Sequence, residues 1–106
     1  MSKHEVLRNC VRRAMEKLRA VGAEPTDIRM PPEIEERWIA GDADYDRDRP
    51  FIESLRVSEV SKQFLPERLY VCGRSATAEV EHAHLCCAVL PDDDLVYQPV
   101  RVERRQ

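Results

Sequence analysis

His82, His84 and Cys86 recur with period two. A β-strand would therefore place all three on one face, at intervals of about 7 Å. Imidazole and thiolate are zinc ligands, and Cys72 on a preceding strand would complete a tetrahedral set if a hairpin brought it opposite. Three neighbours on one flat strand strain a tetrahedron whose donors must all lie about 2.0–2.3 Å from the ion. Such a site would use two of them, with Cys72 and a fourth group from elsewhere. On a helix, His82 would instead face Cys86 one turn on, with His84 pointing away. The plainer reading is that the cysteines fill core space and the histidines hydrogen-bond at its margin. Zinc stands as the alternative, and no cofactor is expected otherwise. The same residues supply the one nucleophile–base pairing in the chain, Cys72 or Cys86 with His82 or His84. Glu79 or Glu81 would have to orient it, and nothing marks an oxyanion hole, so the expectation is a protein that is not an enzyme.

A second constellation is acidic. Asp42, Asp44, Asp46 and Asp48 alternate around Tyr45. Read as a calcium loop from Asp42, positions 1, 3 and 5 fit, and Glu53 falls at position 12. Position 6, where the sharp turn requires glycine, is Arg47, and Arg49 adds positive charge where the ion needs acceptors. The stretch reads instead as a solvated acidic loop and a candidate interaction surface, where the tyrosine would add aromatic contact to charge steering. The other candidate surface is the basic face of the first helix, with Arg12 and Arg19 near one edge. Glu5, Asn9 and Glu16 interrupt that face, and no aromatics are interleaved with its arginines, so nucleic-acid binding is not expected.

The charge is divided along the chain. The net charge is −3, yet residues 1–21 carry six basic and two acidic side chains, and residues 22–50 carry nine acids and four arginines. The phosphate-binding loops GxxxxGK and GxGxxG, the GxSxG elbow and HExxH are all absent, and only three glycines are present to shape a phosphate cradle. No apolar run approaches the roughly 20 residues that cross a bilayer. The opening MSKHEVLRNC lacks the apolar core of a secretory signal, which points to the cytoplasm. With that address, and with cysteines at 10, 72, 86 and 87, all four are expected as reduced thiols.

The elements that must position these residues begin with a clear helix. Ser2 and Glu5 form a capping box. Leu7, Cys10, Val11, Ala14, Met15, Leu18 and Val21 make one apolar stripe, and Gly22 supplies the stop. Residues 23–32 are punctuated by Pro25, Pro31 and Pro32, with a short extended piece around Ile28-Arg29-Met30. Pro32 opens a second, shorter helix through Ile34, Trp38 and Ile39 to Gly41, its Glu33, Glu35 and Glu36 near the positive end. Trp38 should be buried against the first helix. Residues 41–50 read as loop, and 51–64 as a short helix grading into an irregular connection, although Leu55 and Val57 also have strand spacing. Leu69–Cys72 reads as a strand ended by Gly73, 76–90 as strand in preference to an Ala-rich helix, and 95–102 as a final extended passage.

Together these predict a single α+β domain over residues 1–106: an N-terminal amphipathic helix and a second short helix packed on a small, mainly antiparallel sheet. The expected function is that of a small acidic intracellular interaction domain, binding a protein partner without catalysis. A structural or assembly role, including homo-oligomer formation, is the alternative beside zinc.

Overall fold

The computed structural model describes residues 2–58, 68–75 and 84–89. Helix α1 spans Lys3–Ala20, with the Ser2 hydroxyl accepting from the Glu5 amide at 3.3 Å. Its stripe buries Leu7, Cys10, Val11, Ala14 and Leu18, whereas Met15 is half-buried and Val21 is exposed. Gly22, with φ of 84°, turns the chain into strand β1, Ala23–Arg29. That strand is longer than its prolines suggest. Pro25 has no amide to give a ladder, and the register shifts between Pro25 and Asp27, so a bulge absorbs it.

Helix α2, Pro32–Ile34, runs directly into a π-helical turn, Glu35–Ile39, closed by the Ala40 amide donating to the Glu35 carbonyl at 2.9 Å. Trp38 and Ile39 are buried here, and the turn packs against α1, as the sequence leads one to expect. After the loop come β2, Phe51–Ile52, and β3, Leu55–Ser58. The helix expected after Pro50 is therefore replaced by a tight hairpin, with residues 59–64 lying outside the described region. Glu53 and Ser54 both take positive φ, 51° and 70°, the two-residue turn geometry that matches strand twist. Leu55 and Val57 are buried with Arg56 exposed between them, so the alternating pattern outweighs the helix-opening proline.

Strands β4, Leu69–Ser75, and β5, His84–Val89, complete a five-stranded sheet in the order β2-β3-β1-β4-β5. Among the described strands only the β1–β3 pair is parallel, so the sheet is mixed and mainly antiparallel and the fold is α+β. β4 does not stop at Gly73. A side chain there would place its Cβ 2.6 Å from the Glu24 carbonyl oxygen, so glycine is what lets β4 pass the bulge in β1.

Helix α1 covers one face of the sheet, contacting β1, β4 and β5. Alternation along the strands sends Ile28, Val57, Leu69, Val71, Cys87 and Val89 into that core. Four alternate side chains of β4 and β5, Tyr70, Cys72, Cys86 and Ala88, form a second buried cluster. The strand reading of 76–90 is met by β5 over His84–Val89, and the readings of 76–83 and 90–102 fall outside the described residues.

Candidate interaction site

The sheet brings together the two cysteines of the sequence-derived metal set and removes them from it. Cys72 and Cys86 are directly paired across β4 and β5, 4.1 Å apart at Cα, and their sulfurs are bonded to each other. This corrects the expectation of four reduced thiols: Cys72 and Cys86 share a disulfide, and Cys10 and Cys87, both buried, stand outside it. The physical reason is register. A hairpin-like pairing that would set Cys72 opposite Cys86 for a shared metal also sets it within disulfide reach. In that state neither sulfur is a thiolate able to take zinc. His84 lies on β5 opposite Arg74, and His82 is outside the described residues. Among the described residues no three His, Cys, Asp or Glu side chains gather to hold a metal ion.

The acidic loop divides into parts that face inward and parts that face outward. Asp42 is half-buried, ion-paired with Arg8 of α1 and 3.9 Å from His4. Its other oxygen accepts from the Asp44 amide at 3.0 Å. Tyr45 is turned into the core, 8% exposed, and its hydroxyl donates to Glu35 at 2.7 Å. Burial raises its phenol above the ordinary tyrosine value, and the bond to Glu35 raises it further. Tyr45 is therefore an anchor of the loop and not a contact residue at its tip. The Asp48 amide donates to the Asp46 carboxylate at 2.8 Å, a second Asx turn. Asp44, Asp46 and Asp48 are exposed and make no ion pair with a described residue.

The basic face of α1 is partly spent inside the molecule. Arg12 pairs with Glu53 at 3.0 Å, which raises its pKa through the hydrogen bond and the charge, and Arg19 reaches Glu24 at 3.6 Å. Both arginines stay about half exposed.

Beside the loop, at the carboxyl ends of the parallel strands β1 and β3, lies a groove of about 500 Å³. Met30 and Val57 supply apolar surface, Pro32 and Pro50 supply rigid walls, and Ser58 stands at the end of β3. Its polar wall is Glu35 and Arg47, 3.3 Å apart, with Arg47 also bonded to Glu36 at 2.5 Å. Sequence reasoning placed Glu35 and Glu36 at a helix start and read Arg47 only as a misfit in a calcium loop. Their meeting depends on the loop folding back over the π turn, which no local spacing announces. No family model, curated protein or solved structure matches the chain.

Proposed function

We propose that this chain is a small non-catalytic binding domain that recognises a protein partner through the acidic loop. The observation that carries the reading is the way the loop is held. Two Asx turns, the buried Tyr45 and the Asp42–Arg8 pair fix the backbone, while Asp44, Asp46 and Asp48 project from it without a described counter-ion. Holding like charges close together on a rigid loop opposes their mutual repulsion. Such a surface meets a complementary positive patch with little ordering cost and speeds encounter. Arg12 and Arg19 flank other parts of the surface and belong to the rim in this reading.

The test replaces Asp44, Asp46 and Asp48 together with asparagine. Asp42 is left in place because it ties the loop to α1, and asparagine at 46 keeps the Asx turn. Circular dichroism and melting should match the parent. Association with a partner identified by affinity purification from the source cell should slow by about tenfold at low ionic strength and less at high. Unchanged association at every ionic strength would reduce the loop to a solvated connection.

A further inference from the structure

We propose that the groove beside the loop seats an arginine or lysine side chain from an extended basic segment of a partner protein, the stem lying on Met30 and Val57 and the cation meeting Glu35 in the groove wall, with Glu36 outside the lining and tied to it through Arg47. This deepens the binding reading above and rests on it.

The shape comes first. Two prolines and the ends of two paired strands give the groove walls that do not need to be ordered on binding. Met30 and Val57 are themselves almost wholly buried, so the apolar surface they show is backed by the core. A long aliphatic stem with a charged tip fits a site that is apolar below and ionic at one wall.

Charge then chooses the sign. Glu35, Glu36 and Arg47 sum to −1, and Tyr45 stays neutral because burial and its bond to Glu35 oppose ionisation. One incoming cation neutralises the cluster, whereas an incoming carboxylate or phosphate would take it to −2. Glu35 gives one oxygen to Arg47 and one to Tyr45, and each carboxylate oxygen keeps a further lone pair for a new donor. Arg47 is half exposed, so it can shift along its two acids to share them. The neighbours of Arg47 in the chain are Asp46 and Asp48, both exposed. With Asp44, the exposed acids of the loop outnumber its exposed arginines, Arg47 and Arg49, by three to two, so a net negative charge continues past the groove along the loop. An extended segment with several basic residues matches that spread.

The experiment uses the full chain and fluorescence anisotropy with a labelled hexapeptide of sequence Arg-Leu-Arg-Leu-Arg-Gly, against the control Glu-Leu-Glu-Leu-Glu-Gly. The basic probe should bind and the acidic one should not. Ser58→Arg, which fills the groove end with a cation, should weaken the basic probe by about tenfold, and Glu36→Gln by about threefold. Glu36 is two-thirds exposed, so its variant keeps the test open if Ser58→Arg does not fold. Binding that ignores both groove variants but is lost in the loop triple variant would overturn the groove inference and leave the loop reading standing. Equal binding of the acidic probe, or no binding of the basic one, would overturn the groove inference as well. The association experiment on the partner itself then judges the loop reading separately.

Discussion

Cys87 lies on the α1 side of β5 with no exposed surface, and burial raises its thiol from 9.0 to about 11, with Lys17 pulling slightly the other way. Tyr45 is shifted in the same direction from 10.0, first by burial and then by its bond to Glu35. Both groups are neutral when protonated, and in both the folded state resists losing the proton. The unfolded chain ionises first, so it binds fewer protons than the native one once pH passes 9, and stability falls as pH rises. The contribution from Cys87 is complete below pH 9 and is lost as pH climbs through about 11, and Tyr45 extends the loss above 10. Chemical denaturation at stepped pH should show a decline of about 1.4 kcal/mol per pH unit from the cysteine alone. Cys87→Ala should flatten the section between pH 9 and 10 and reduce the decline above pH 10 to the part due to Tyr45. A flat profile in the parent protein would mean that neither group is held as tightly as its burial implies.

At the scale of elements, the staple between β4 and β5 carries a clear expectation. β5 pairs with β4 across six residues, and the Cys72–Cys86 bond closes a loop with a sequence separation of 14. Closing a loop of that length stabilises by about 3 kcal/mol in the chain-entropy account. The double variant Cys72→Ser, Cys86→Ser should lose about that much, and thiol titration of the denatured, unreduced parent should find only Cys10 and Cys87 reactive. Four reactive thiols in protein trapped directly from its cell would instead place it in a reducing compartment, where such bonds are rare. The π turn has its own test. Trp38 is 6% exposed, with Lys3 and Arg37 each within 6 Å of the ring, so Trp38→Ala should cost about 3–5 kcal/mol in thermal or denaturant unfolding. Helix α1 and the burial of Trp38 were legible because helical spacing is a local signal. The hairpin at Glu53-Ser54 was not, because Pro50 announces a helix and neither turn residue is a glycine. The disulfide was hidden for a related reason: it depends on the register of two strands, and a shift of one residue would send Cys72 and Cys86 to opposite faces.

Across the whole molecule, the division of charge along the chain becomes a set of ties between its parts. The excess of basic residues in 1–21 faces acids further along the chain, two in the acidic block 22–50 and one just past it: Arg8 meets Asp42, Arg19 meets Glu24 and Arg12 meets Glu53. Sequence showed both blocks of charge but not that they answer each other, since a charged helix face looks the same whether it meets solvent, a partner or its own loop. These ties are unequal. Arg19 and Glu24 are mostly exposed, so water and salt screen them and their removal should change little. Arg8 and Asp42 are 25% and 9% exposed, and Asp42 also shapes the loop turn through the Asp44 amide. Removing Arg8 leaves a half-buried carboxylate with the Asp44 amide on one oxygen and His4 3.9 Å from the other, so Arg8→Ala should cost about 1–3 kcal/mol. Asp42→Asn keeps the turn and removes the charge, so it should cost less. In a double-mutant cycle the two should couple by about 1 kcal/mol, and the coupling should survive high salt better than any between Arg19 and Glu24. Zero coupling would mean that α1 and the loop are held together by Trp38, Tyr45 and the apolar core, with the charges merely adjacent.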